Sequence, residues 1–151
     1  MENHNEKAVH QLNQLLTRNY DAEAGYKDAA ENVEDPQLKN FFEQAAQQRY
    51  DFGHKIKSEI KQLGGSPEKG TSVASTVHRA WMDLKSAVAS RNNMAVLNEC
   101  ARGEEAAIKD YQEALEAPEI TGSCESIIQN QLNEIQGKVR HINELKDQFE
   151  H

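Results

Sequence analysis

The chain has few of the residues that break helices, brace small folds or carry a protein into a membrane. Only 3 of its 151 residues are proline, too few to interrupt more than a handful of turns. Its 2 cysteines, Cys100 and Cys124, form no CxxC pair. A disulfide framework or a zinc knuckle is therefore not expected, and two reduced structural thiols in a cytoplasmic protein are. An excess of positive charge is also missing: 17 Lys and Arg face 25 Asp and Glu, for a formal net charge of -8. Lys55, Lys57 and Lys61 come nearest to a basic stripe, but Asp51 and Glu59 lie among them. Neither nucleic acid nor an anionic membrane surface is an expected partner, because both are held by clustered Lys and Arg. No apolar run approaches the roughly 20 residues needed to span a bilayer. The opening segment, Met1-Glu2-Asn3-His4-Asn5-Glu6, has no signal-peptide core. Glycine-rich phosphate loops and Ser/His/Asp constellations are absent as well.

What remains is a helix-forming sequence of one-domain length, residues 1–151. A chain of this size buries roughly 68–70% of its unfolded surface and needs no staples. Apolar residues recur at three- and four-residue steps. Val9, Leu12, Leu16, Tyr26, Ala30 and Val33 predict a first helix over about 5–33. Asp35-Pro36 supplies a cap and a proline at the first helical position, and Leu38, Phe42, Ala45, Phe52, Ile56 and Leu63 continue the second helix to Gly64-Gly65-Ser66-Pro67. A shorter helix follows a Gly70-Thr71-Ser72 turn, with Val73, Val77, Trp81, Leu84 and Val88 on one face. Two more long helices cover about 93–116 and 124–149. Helices of 24–30 residues joined by short links bury their stripes most simply as an antiparallel four-helix bundle, with the short helix at one end or in the crossover.

The informative residues are the polar ones inside those stripes. Seven-residue steps place Glu23 in line with Leu16 and Ala30, Arg49 with Phe42 and Ile56, and Glu104 with Leu97 and Tyr111. Gln131 falls near the Ile128 and Ile135 line, with Lys138 a little further off. An unpaired charge in a bundle core costs several kcal/mol. The expectation is therefore a Glu23–Arg49–Glu104 cluster, with Tyr111 and Gln131 supplying neutral hydrogen bonds. Diiron bundles place a Glu on two helices and Glu-x-x-His on the other two. Glu23 and Glu104 match the first pair. The second pair is missing: Asp51-x-x-His54 has the right spacing, but His54 points towards solvent, and Lys138-x-x-His141 puts a cation where a carboxylate belongs. Glu134 and His141 flank the core. No cofactor is expected. The alternative is iron or manganese on Glu23 and Glu104, helped by Asp51, His54, Glu134 or His141. Cys124, at a helix start, is the better placed of the two thiols for reactivity.

Several segments share a wider likeness. Asp21-Ala22-Glu23-Ala24-Gly25-Tyr26, Arg49 with Phe52, and Leu63-Gly64-Gly65-Ser66-Pro67 are three of them. Gly70-Thr71-Ser72-Val73, the run His78 to Lys85, and the run Glu99 to Ala107 with Tyr111 are the others. Together they resemble a bacterial family of uncharacterised proteins, ferritin-like four-helix bundles that contain a domain of unknown function. The resemblance covers nearly the whole chain. It implies a ferritin-like bundle, a bacterial source and no defined activity, and it carries the metal ligands of ferritin-like proteins over only to Glu23 and Glu104. The reading that follows is a non-enzymatic, stress- or maintenance-related bundle with a degenerate diiron site. Two alternatives stand beside it. One is an iron- or manganese-dependent oxidase or peroxide scavenger. The other is a helical interaction module that binds a protein partner, or itself as a homo-oligomer, through a patch near Trp81.

Overall fold

A computed structural model describes residues 3–69 and 76–150, apart from the side chains of 76–80 and 82. Among the described residues five helices follow one another: α1 (His4–Asn32), α2 (Pro36–Gln62), α3 (Thr76–Ala89), α4 (Asn93–Glu116) and α5 (Gly122–Glu150). The Gly70-Thr71-Ser72 turn and Val73 lie outside the described residues. Among the described residues no helix is long and apolar enough to cross a membrane.

Local chemistry fixes the ends. The Asn3 side chain accepts the Glu6 N–H at 2.8 Å and caps α1. Asp35 does the same for the Leu38 N–H at 2.9 Å, with Pro36 at the first position of α2. Asn92 accepts the Ala95 N–H at 3.0 Å and starts α4. Helix α2 stops where Gly64 takes φ +83, a left-handed angle that glycine adopts without a Cβ clash, and the Gly65 N–H returns to the Ile60 carbonyl.

The four long helices pack as two antiparallel pairs, α1 with α2 and α4 with α5, and the pairs meet along two seams, α1 against α4 and α2 against α5. Helix α3 rides on the first seam, touching both α1 and α4. Directions follow from the core. One apolar cluster joins the end of α1 (Tyr26, Ala30), the start of α2 (Leu38, Phe42), the start of α4 (Val96, Leu97) and the end of α5 (Ile142, Leu145). The other joins the start of α1 (Leu12, Leu16), the end of α2 (Ile56, Ile60), the end of α4 (Tyr111, Ala114) and the start of α5 (Ile128, Leu132). Helices α2 and α4 thus run the same way, and the segment between them, with α3, returns the chain across the bundle.

Trp81 explains how α3 is held. It is 4% exposed, with its ring 4.8 Å from that of Tyr26. A Cβ on Gly25 would come within 2.8 Å of Trp81 Cε3, and one on Gly103 within 3.1 Å of Cζ2. The two glycines form the slot that admits the indole. Trp81 itself is therefore a core anchor and not an exposed contact for a partner.

Candidate functional site

Between the two apolar clusters lies a layer of buried polar side chains: Asn19 on α1, Arg49 on α2, Glu104 on α4, and Gln131 and Lys138 on α5. Heptad spacing builds it. Asn19 and Tyr26, Glu104 and Tyr111, and Gln131 and Lys138 are each seven residues apart, about 10.5 Å along a helix. Because neighbouring helices are antiparallel, these pairs sort into two levels. Tyr26, Glu104 and Lys138 occupy one, and Asn19, Tyr111 and Gln131 the other.

Arg49 joins the levels. Its Nη1 donates to Asn19 Oδ1 at 2.7 Å, and its Nη2 pairs with Glu104 Oε1. On the lower level Asn19 Nδ2 donates to the Tyr111 hydroxyl at 2.8 Å, which donates to Gln131 Oε1 at 2.7 Å. Gln131 Nε2 ends the chain on the Phe52 carbonyl. On the upper level the Tyr26 hydroxyl donates to Glu104 Oε2 at 2.7 Å and accepts from the Cys100 thiol. Lys138 Nζ lies 3.1 Å from the same carboxylate oxygen. The two form a buried ion pair. All four long helices are tied into one network.

The electrostatics set the charge states. Burial pushes the Glu104 carboxyl up, but the Arg49 and Lys138 cations and the Tyr26 hydroxyl outweigh it and hold its pKa below the usual value. Burial would lower Arg49, yet the Glu104 carboxylate more than compensates and its pKa is raised. For Lys138 burial wins: helped by the neighbouring Arg49, it overcomes the attraction of Glu104 and draws the amine below its usual range. Cys100 is pushed up to about 12 by burial and by Glu104.

The expected cluster needs one correction. Glu23 is not in it. Its side chain is 16% exposed and pairs with Lys27 at 2.8 Å, along an outer groove between α1 and α2. A straight helix drifts about 20° per heptad, and the buried face of α1 passes through Asn19, Ala22 and Tyr26, leaving Glu23 at its edge. The second cation is Lys138, which is buried while its neighbour Val139 is only half-buried. Arg49, Glu104, Tyr111 and Gln131 do come together. Tyr26 and Asn19 belong with them, and the signal for both was the seven-residue pairing of polar groups on three helices.

The remaining candidate ligands are scattered. Asp51 is exposed and accepts from Gln47. His54 is exposed, with its ring against that of Tyr50. Glu134 and His141 lie in a groove at the α2–α5 seam. Among the described residues no three His, Cys, Asp or Glu side chains converge as a metal would require. Both oxygens of Glu104 already face cations or a hydroxyl donor. This donor set does not fit a diiron or dimanganese centre. Cys124 donates its thiol to Glu59 Oε2, as the Ser123 hydroxyl does. Burial and that carboxylate push Cys124 up to about 11, which disfavours the thiolate despite its place at the start of α5.

The family described as "Domain of unknown function (DUF2383)" matches residues 7–117, from the first turn of α1 through the end of α4. No curated protein matches the chain.

Proposed function

The chain belongs to the DUF2383 family, a domain of unknown function, and on that premise we propose that it is a non-catalytic helical-bundle protein. In this reading the place where a ferritin-like bundle would hold two metal ions is taken by Arg49 and Lys138 around a single carboxylate, Glu104. The network keeps the four helices in register, and α3 closes one seam over it through Trp81. The observation that carries this is the convergence of two cations on the one central carboxylate. A dication placed there would meet two like charges and at most one free carboxylate. Two buried thiols, both raised in pKa, agree with a reducing cytoplasmic setting.

Metal analysis after exposure of the purified protein to ferrous or manganous ion is the test. The expected result is no stoichiometric metal and no acceleration of ferrous oxidation over buffer. About two ions per chain, lost on substituting Glu104→Gln, would overturn the reading in favour of an oxidase or peroxide scavenger.

A further inference from the structure

Two buried polar atoms belong to residues that border one groove: Lys138 Nζ, ion-paired with Glu104 Oε2 at 3.1 Å, and Gln48 Oε1, an acceptor with no hydrogen-bond partner among the described residues. Both residues line a cavity of about 290 Å³ at the α2–α5 seam, with Phe41 and Ala45 on its apolar side and Glu134 and His141 on α5. Among the described residues the opposite seam is covered by α3 and this one by no helix.

Charge counting singles out Lys138. In the buried network Arg49 and Glu104 balance, and Lys138 is the surplus cation. Its flexible four-carbon stem can turn the ammonium towards the groove, which leaves a neutral Arg49–Glu104 pair behind, with Tyr26 still donating to Glu104. Glu134, four residues before Lys138 on the same helix, then stands beside the ammonium. The groove would present a cation, a carboxylate and an unpaired amide oxygen against the Phe41 ring, which His141 meets at 5.3 Å. A simple anion would satisfy Lys138 but meet Glu134. A simple cation would satisfy Glu134 but meet Lys138. A molecule with a carboxylate and an ammonium on one carbon satisfies both, and its ammonium also supplies the donor that Gln48 Oε1 lacks. The volume is at the lower end for ligand pockets and suits a small side chain resting on Phe41 and Ala45.

We propose that the α2–α5 groove binds a small free amino acid, with its carboxylate on Lys138 and its ammonium between Glu134 and Gln48. The site rests on the same surplus cation as the non-catalytic reading, and metal analysis and ligand titration distinguish the failure of one from the failure of the other.

Titration of the isotope-labelled full chain by NMR tests the proposal, with glycine and L-alanine as ligands and lactate and acetate as comparisons. Saturable shifts of the Gln48, Glu134 and Lys138 amides at millimolar glycine or alanine are expected. Lys138→Met should weaken binding at least about tenfold, with its fold checked by circular dichroism. Gln48→Leu provides a second variant that leaves the ion network intact and should weaken binding severalfold. Glu134→Gln should weaken the amino acids but not lactate. No saturable shift, equal binding by acetate and glycine, or undiminished binding by folded Lys138→Met and Gln48→Leu would each overturn it.

Discussion

Arg49 and Lys138 are both buried cations touching Glu104, yet replacing each by methionine should have opposite consequences. Arg49→Met strips hydrogen bonds from Asn19 Oδ1 and Glu104 Oε1 and leaves two buried acceptors short of a donor. Removing one partner of such a pair costs about 3–5 kcal/mol. At about 2–4 °C per kcal/mol for a chain of this size, the melting temperature should fall by roughly 6–20 °C. Lys138→Met removes a cation whose burial outweighs its attraction to Glu104. Glu104 keeps Arg49 and Tyr26. Exchanging a buried charge for an apolar side chain of similar length should leave stability within about 1 kcal/mol of the parent, or raise it. The sign with pH follows. The folded-state pKa of Lys138 lies below its ordinary 10.5. Between the two values the unfolded chain binds the extra proton, so the parent gains stability as pH rises through that window. The advantage of Lys138→Met should therefore be largest at neutral pH and shrink as pH approaches 10.5. Urea unfolding followed by far-ultraviolet circular dichroism, at neutral and alkaline pH, measures both. If Lys138→Met lost as much stability as Arg49→Met, or its difference from the parent did not change with pH, the surplus-cation argument would be wrong.

Three further outcomes are expected. Gly25→Ala places a methyl 2.8 Å from Trp81 Cε3; it should cost about 1–3 kcal/mol by overpacking and shift the tryptophan emission to the red as the indole leaves its slot. Glu104, held below its ordinary 4.5, contributes stability that is complete above that value and is lost as pH falls through its folded-state pKa; Glu104→Gln should be less stable at neutral pH, with a flatter acid limb in the urea midpoint. Cys100 and Cys124, pushed up to about 12 and about 11, hold on the order of one part in ten thousand thiolate or less at neutral pH. Both should resist a thiol reagent in the native protein and react promptly in denaturant, and fast native labelling of Cys124 would contradict the contact with Glu59.

The helices were legible because their punctuation is local. Asn3, Asp35-Pro36, Gly64 and Asn92 act within one turn of where they stand, and the bounds of α4 match the expected 93–116. Apolar periodicity also gave the inward faces closely enough to place Arg49, Glu104, Tyr111 and Gln131. It was not enough for Glu23 and Lys138. Those depend on helix rotation within a fraction of a step, and the deciding contacts are made with other helices. Tyr26 was read as an apolar stripe residue, which its ring is; that its hydroxyl would reach Glu104, 78 residues away, is a fact of the assembled bundle. Trp81 is similar. Nothing local to α3 announces that Gly25 and Gly103, on two other helices, leave room for it.

What separates this core from a metal site is the level at which each charge stands rather than the number of charges. Had Glu23 faced inward, two carboxylates on neighbouring helices would have flanked Arg49 and balanced Lys138 as well. With Glu23 at the edge of α1 and paired to Lys27, a single carboxylate, Glu104, serves the two cations of this cluster. Arg49 cannot give up its place, because it alone spans the two polar levels through Asn19 and Glu104. Lys138 sits where the network meets the α2–α5 groove, so the proposed amino-acid site and the proposed non-catalytic core draw on the same lysine, and the Lys138→Met variant reads out both.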